Sequence, residues 1–334
     1  MAIKVGVYGA TGYTGLELVR LLMGHPQVEI GFATSESSAG QNLQQQWPQA
    51  PAIPLVKAAD APLSEVDAVF LCLPHTRSAP LAGKALAAGV RVVDLSADLR
   101  IDDPAAYERW YGVPHPAPEL LPQPYGLPEL GRDGLYGAQC IANPGCYTTT
   151  TLLATVPLAR AGLLLADAPL IIDAKSGTSG AGRKPKQNML FAEVHGNFSP
   201  YSIGRAHRHL AEIDQLMDKS GYQGGPIVFS PHLLPTDRGI LATIYAQVTD
   251  VDAARAALEA QYAGEPLVNV LPEGSLATLA HVVRTPLAVL SITPVTGDLA
   301  VIVSVTDNLL KGAASQAVQN FNLMFDISET TGLI

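Results

Sequence analysis

Ala2-Ile-Lys-Val-Gly-Val-Tyr-Gly9-Ala-Thr-Gly12-Tyr-Thr-Gly15 opens the chain, and its reading decides the fold of the first half. Residues 2–9 form a short apolar run rich in Val and Ile, the pattern of a buried strand. Tyr13–Met23 carries apolar side chains at Leu16, Val19, Leu22 and Met23, a helical spacing. A glycine-rich turn between strand and helix is what a dinucleotide-binding loop requires. Gly9 makes the tight turn, Gly12 admits a pyrophosphate close to the backbone, and Gly15 lets helix and strand pack. The spacing is GxxGxxG, a variant of the usual fingerprint, and its plainer reading is a simple strand-to-helix turn.

Alternation continues outward from this loop. Strands are expected at Val28–Ala33, Val66–Leu73 and Val90–Leu95, with an alanine-rich helix at Ser78–Ala88, so a parallel sheet with crossover helices follows. Segments 40–62 and 112–139 read as long surface connections. Beyond residue 146 the texture changes. Helices are expected at 148–162, 207–219 and 251–262. Strands are expected at Leu170–Lys175, Pro226–Leu234, Gly239–Val248, Leu267–Leu271, Val282–Pro294 and Leu299–Val305, giving a mixed, largely antiparallel sheet. Leu310–Met324, introduced by Asn308, reads as an amphipathic helix that returns to the first domain. The fold class is α/β: a Rossmann-like parallel-sheet domain (1–145 with 308–334) joined to an α+β substrate and dimerisation domain (146–307).

At 334 residues the chain can bury two cores, and 48% hydrophobic against 15% charged residues marks a well-packed protein. A formal net charge of −9 disfavours nucleic acid and anionic lipid as partners. No uninterrupted apolar run is long enough to span a bilayer, and the N-terminus does not resemble a signal peptide. Three cysteines, at 72, 140 and 146, make neither a disulfide framework nor a metal-ligand spacing, which fits a reducing cytoplasm.

Chemistry centres on Cys146, in Ile141-Ala-Asn-Pro-Gly-Cys-Tyr147. A Pro-Gly turn sets this thiol in the first turn of a helix, where the peptide dipoles favour thiolate. Cys72 and Cys140 read as small core residues. A thiol nucleophile needs a proton partner, and His207-Arg208-His209 with Glu212 is the best supply in the chain. His209 and Glu212 share a helix face, whereas His207 and His209 point differently, so one of the two is the base. Anion handling has two candidates, the loop Ser176-Gly177-Thr-Ser-Gly-Ala-Gly-Arg183-Lys184 and Arg100 closing Asp94-Leu-Ser-Ala-Asp-Leu-Arg100 after a parallel strand, while Arg205 and Arg208 add charge beside the histidines. At the end of the second strand Thr34, Ser35, Ser37 and Ser38 suit a 2′-phosphate. Glu36 is the acid an NAD site would use, and the balance favours NADP.

Eight segments together resemble the N-acetyl-γ-glutamyl-phosphate reductases of arginine biosynthesis, within the semialdehyde dehydrogenase superfamily. They are GATGYTG (9–15), DLSADLR (94–100), YGLPEL (125–130), IANPGCY (141–147), SGTSGAGRK (176–184), HRHLAEI (207–213), PHLLPTDRGIL (231–241) and DNLLKGAA (307–314). Thr148, Thr150 and Ala211 depart from the usual family pattern. The resemblance implies that Cys146 is the nucleophile and His209 the acid/base, supported by His207 and Glu212. It sets NADPH on Gly9, Thr11, Gly12, Tyr13, Thr14 and Gly15 and near Ser35 and Ser38, with Asn308 and Lys311 approaching the nicotinamide. It implies an acyl phosphate substrate, reduction through a Cys146 thioester, and a homodimer or homotetramer. Rival readings are a reductase for a substrate one methylene longer, a redox-sensing NADP-binding protein, and a cysteine-histidine acyl hydrolase.

Overall fold

The computed structural model describes residues 2–334. The chain divides into two compact units, residues 1–145 with 313–334 and residues 146–312. In the first unit β1 (Ile3–Tyr8) leads through the glycine loop into α1 (Tyr13–Gly24), then β2 (Val28–Thr34), a single turn α2 (Leu43–Gln46) and β3 (Leu55–Val56). There follow β4 (Ala68–Leu71), α3 (Ser78–Ala87), β5 (Arg91–Asp94), α4 (Pro104–Tyr111) and β6 (Cys140–Ala142). The six strands form one parallel sheet in the order β3-β2-β1-β4-β5-β6. Successive strands step outward from β1 in one direction, and from β4 in the other. The loops after these two neighbours therefore diverge, which is where open α/β sheets hold ligands.

The second unit starts with α5 (Cys146–Arg160) and β7 (Leu170–Ser176). The short α6 (Phe191–Val194) and β8 (Ser199–Pro200) precede α7 (Leu210–Lys219), β9 (Ile227–Leu233) and β10 (Ile240–Gln247). Then come α8 (Val251–Tyr262), β11 (Val268–Val270), β12 (Ala288–Thr296) and β13 (Leu299–Thr306). Its seven-stranded sheet has the order β11-β12-β13-β10-β7-β9-β8, parallel only at β11/β12 and β7/β9. α5 packs against β10, β13, α7 and α8 and is almost wholly buried. Pro157 lies inside α5 and leaves the Leu153 carbonyl without its helical donor; the buried Tyr262 hydroxyl donates to it instead.

Several sequence expectations change here. The 40–62 segment is more than a surface connection: it supplies β3 and α2, and it buries Leu43 and Leu55 in the core beside α1. The 112–139 segment likewise buries Leu127, Glu129 and Leu130. The strand expected from Val282 starts at Ala288, and the helix expected from His207 starts at Leu210. The second unit extends to Gly312 instead of ending at 307, because the Asn308 side chain is bonded within that unit.

The final helix also differs from its expected form. A π-helical turn at Leu310–Ala314 precedes α9 (Ser315–Met324), and α9 is buried on every side. Three of its polar residues are paired inside the unit: Gln319 donates to Glu129, Asn320 to the Gly126 carbonyl and Asn143, and Asn322 to the Glu329 and Thr331 carbonyls. Phe321 packs against Phe70 and Phe325 on the apolar side. An amphipathic pattern thus served two partners, the sheet and the polar backbone of 126–143, with no face left to solvent.

Candidate active site

In the second unit Cys146 is the first residue of α5, and Thr150 Oγ1 donates to its carbonyl across one turn at 2.9 Å. The chain returns past it at Gly312: a Cβ there would lie 2.8 Å from the Cys146 Cβ, so only glycine fits without displacement. The other cysteines are poor reagents. Burial, with help from the Asp94 charge, pushes both the Cys72 and the Cys140 thiols well above their ordinary range.

The histidines divide by environment. His207 sits among Tyr147, Tyr201, His209 and Phe229, with ring centroids within 5.7 Å of it. Burial, then the neighbouring His209 and Arg208 charges, lowers its pKa from 6.5 to about 3. Its Nδ1 accepts the His209 backbone N–H at 3.2 Å, which places the one ring proton on Nε2. His207 is therefore neutral at physiological pH and shapes the turn. His209 lies at the cap position of α7 with its Nε2 4.0 Å from Oε1 of the fully buried Glu212. His209 thus faces a carboxylate across the first turn of α7.

Two tyrosines that sequence reasoning did not single out complete this cluster. The Tyr201 hydroxyl donates to that of Tyr147 at 2.9 Å. Burial pushes Tyr201 up to about 12, and a negative Cys146 contributes to the rise of both phenols. Both tyrosines hence keep their protons and offer hydroxyl groups in the neighbourhood of the thiol. Tyr201 sits in an irregular segment after β8, where no periodicity could have announced it.

The 176–182 loop is rigidly held. Gly177, Thr178 and Ser179 donate their N–H groups to Gly239, Thr236 and Asp237. A Cβ on Gly177 would lie 2.7 Å from the Arg238 backbone nitrogen. Asn308, expected near the cofactor, spends its amide on this brace: its Oδ1 accepts the Gly239 N–H and its Nδ2 donates to Ser179 Oγ. Ser176 and Lys311 are buried, whereas Arg183 is exposed at the end of the loop. Arg205 is paired with Asp214 and the Ile227 carbonyl. In the first unit Arg100 is buried, and donates to the Asn143 and Leu95 carbonyls at 2.7 Å each. Arg100 is thus held on backbone acceptors, whereas Arg205 keeps 48% of its side chain exposed beside its Asp214 partner. A buried guanidinium can meet its hydrogen-bonding demand on backbone carbonyls, and sequence does not reveal those partners.

The glycine loop of the first unit is shaped for an anion. Gly9 has φ +76°, and a Cβ on it would strike the Cys72 carbonyl at 2.3 Å; a Cβ on Gly15 would lie 2.4 Å from the Gly9 carbonyl. Gly12 is the cap of α1, and no side chain caps the helix, so the first-turn N–H groups at Tyr13 and Thr14 are left for a ligand. Thr11 Oγ1 lies 3.0 Å from Ser35 Oγ, tying the loop to the end of β2. Ser35 and Ser38 are buried there, while the Glu36 carboxylate turns away to accept the Ala58 N–H at 3.0 Å. These residues fit a dinucleotide, and the engagement of Glu36 removes the acid that a ribose 2′-hydroxyl would use.

Comparison with known proteins gives the family. Residues 4–138 match the family described as "Semialdehyde dehydrogenase, NAD binding domain", and residues 146–308 match "Semialdehyde dehydrogenase, dimerisation domain". The chain is 46% identical over 339 residues to the N-acetyl-gamma-glutamyl-phosphate reductase of Ectopseudomonas mendocina (strain ymp), covering 99% of this chain and 98% of the relative. It is 44% identical over 344 residues to that of Paracoccus denitrificans (strain Pd 1222), covering 100% and 98%. Among solved structures, aspartate semialdehyde dehydrogenase II of Vibrio cholerae superposes with a TM-score of 0.75 at 18% identity, covering 97% of this chain and 98% of that one. Aspartate semialdehyde dehydrogenase with NADP from Candida albicans gives 0.68 at 17% identity, covering 97% and 98%. Among the described residues no helix is long and apolar enough to cross a membrane.

Proposed function

The chain belongs to the N-acetyl-gamma-glutamyl-phosphate reductase family of semialdehyde dehydrogenases, and from that premise we propose that it reduces N-acetyl-L-glutamyl 5-phosphate to N-acetyl-L-glutamate 5-semialdehyde with NADPH, in arginine biosynthesis. The observation that carries the reading is Cys146 at the head of α5 in the same unit as the His209–Glu212 pair. Cys146 Sγ attacks the γ-acyl carbon; the C–S bond forms, the C–O bond to phosphate breaks, and phosphate leaves with the bonding pair. Covalent capture splits one hard displacement into two easier steps. Bound NADPH supplies the hydride that reduces the resulting thioester. The oxyanion left by that reduction takes a proton from the His209 imidazolium, and the proton returns to His209 as the carbonyl re-forms and the C–S pair goes back to sulfur as thiolate. Glu212 orients His209 and stabilises its charged form, and neutral His207 holds the turn.

Gly9, Thr11, Gly12, Tyr13, Thr14, Gly15, Ser35 and Ser38 hold the cofactor in this reading. The Ser176–Arg183 loop, braced by its own backbone hydrogen bonds, receives the departing phosphate through Arg183. The reaction needs a free thiol, so a reducing cytoplasm suits it, and all three cysteines are unbridged. Self-association uses the open face of the seven-stranded sheet, where Ile171 and Tyr245 pair across β7 and β10 and remain 37% and 38% exposed. A homodimer through this face, or a tetramer built from two, accords with the matched dimerisation domain.

The test is phosphate-dependent reduction of NADP by the semialdehyde, the reaction in reverse. Turnover that requires both phosphate and Cys146 is expected. Undiminished turnover by Cys146→Ser would exclude the thioester route. A several-hundred-fold preference for the acyl phosphate one methylene longer would exclude the substrate, since a single methylene discriminates only about 10–200-fold.

A further inference from the structure

We infer that Asp98 is a positioning residue that fixes the turn between β4 and α3 as the nicotinamide-side wall of the cofactor crevice. This rests on the cofactor reading given above. β1 and β4 are neighbours at the point where the sheet reverses its stepping direction, so the loops that follow them flank the crevice. These loops are in contact, since Gly9 needs its missing Cβ to clear the Cys72 carbonyl. One loop delivers the uncapped end of α1. The other, Cys72–Arg77, delivers α3, and its state is the reverse.

Thr76 has φ +70°, a left-handed conformation that a β-branched residue rarely adopts. Its N–H donates to Asp98 Oδ1 at 2.7 Å. The same carboxylate receives Ser78 N–H at 3.1 Å, Ala79 N–H at 3.0 Å and the Tyr107 hydroxyl at 2.8 Å. Asp98 is fully buried, and α3 has no side-chain cap from its own segment. A carboxylate so placed has one evident effect on each neighbour. It occupies the first N–H groups of α3, which would otherwise compete with α1 for a phosphate, and it pins Thr76 where the backbone would not stay unaided.

The two helix ends therefore give the crevice a direction. Pyrophosphate goes to α1, and the adenosine 2′-phosphate lies toward Ser35 and Ser38 at the end of β2, tied to the loop through Thr11. The remaining, nicotinamide half runs across to the β4 side, against a wall that carries no unsatisfied anion-binding end. Unpaired strain of this kind persists where surrounding structure over-determines it, and four donors converging on one carboxylate do that here.

The test compares NADPH with adenosine 2′,5′-bisphosphate, which contains the adenosine half alone, in equilibrium binding by fluorescence and calorimetry. Asp98→Asn is expected to weaken NADPH about tenfold and the bisphosphate less than twofold. Tyr107→Phe, which removes one donor and leaves the backbone contacts, is expected to show the same contrast at about threefold, and it carries the test if Asp98→Asn does not fold. Equal weakening of both ligands, or weakening of neither, would overturn the assignment. A parent protein that binds the bisphosphate but not NADPH would overturn it as well. A parent that binds neither ligand would instead remove the cofactor reading itself, and this inference with it.

Discussion

The glycine loop of the first unit and the histidine turn of the second are similarly short, yet they work through different atoms. Residues 9–15 act through backbone: three glycines, a positive φ and the uncapped first turn of α1. Residues 201–212 present side chains: a phenol, two imidazoles and a buried carboxylate, separated by environment more than by sequence. A backbone site tolerates any change that leaves the main chain in place, and fails when an added atom moves it. A side-chain site fails when one functional group is removed, even if the fold is untouched. Mutations can therefore separate the two halves of the reaction.

The largest separation is expected from Cys146→Ala. Turnover should fall about 10⁴-fold or more, while NADPH affinity stays within twofold of the parent. Measured together by steady-state assay and fluorescence titration, a matching loss of cofactor binding would show that the two regions are not independent. Next comes His209→Asn, with an expected loss of about 10²–10³-fold in kcat. His207→Asn should cost less and leave the shape of the pH–rate profile intact, because His207 is already neutral across the working range. A profile that changes only in the His207 variant would reverse the assignment of roles.

His207 also predicts a pH dependence of stability. Its folded pKa of about 3 lies below the ordinary 6.5, so the fold resists protonating it. The stability it contributes is complete above pH 6.5 and is lost as pH falls toward 3. Between pH 7 and pH 4 the loss amounts to about 3 kcal/mol at most, at about 1.4 kcal/mol per pH unit. Urea denaturation of the parent and of His207→Phe at several pH values checks this. The variant should be the flatter of the two, and parallel curves would show that burial does not hold His207 neutral.

Sequence reading reached the backbone site more completely than the side-chain site, for physical reasons. A glycine loop between a strand and a helix has local causes, and periodicities of two and 3.6 residues show both flanks. The histidine turn depends on distant neighbours: Tyr201 and Phe229 come from other segments, and their rings pack against His207 and set it apart from His209. Arg100 marks the same limit. Its place after a parallel strand is legible, but the Leu95 and Asn143 carbonyls it serves are not, since backbone acceptors carry no residue identity. The amphipathic pattern of α9 marks a helix but not the burial of its polar face, whose residues bond to Gly126, Glu129 and Asn143 instead of water.

The finest test lies within the glycine loop itself and separates folding from ligand binding at neighbouring positions. A Cβ on Gly15 would sit 2.4 Å from the Gly9 carbonyl and 2.8 Å from the Ala10 Cα, both main-chain atoms that cannot swing aside. A Cβ on Gly12 meets only the Gly9 carbonyl, at 3.5 Å, and Gly12 has an extended backbone (φ −77°) open to any residue. Gly15→Ala should therefore destabilise the protein by about 1–3 kcal/mol and weaken NADPH about tenfold. Gly12→Ala should leave stability within about 0.5 kcal/mol. Its whole effect should fall on the cofactor, because the added methyl occupies the approach of a pyrophosphate to the first turn of α1. Thermal melts with and without NADPH give both quantities for each variant. If Gly12→Ala bound NADPH like the parent, the pyrophosphate would have to lie away from the backbone at Gly12, and α1 would lose its claim to the anion.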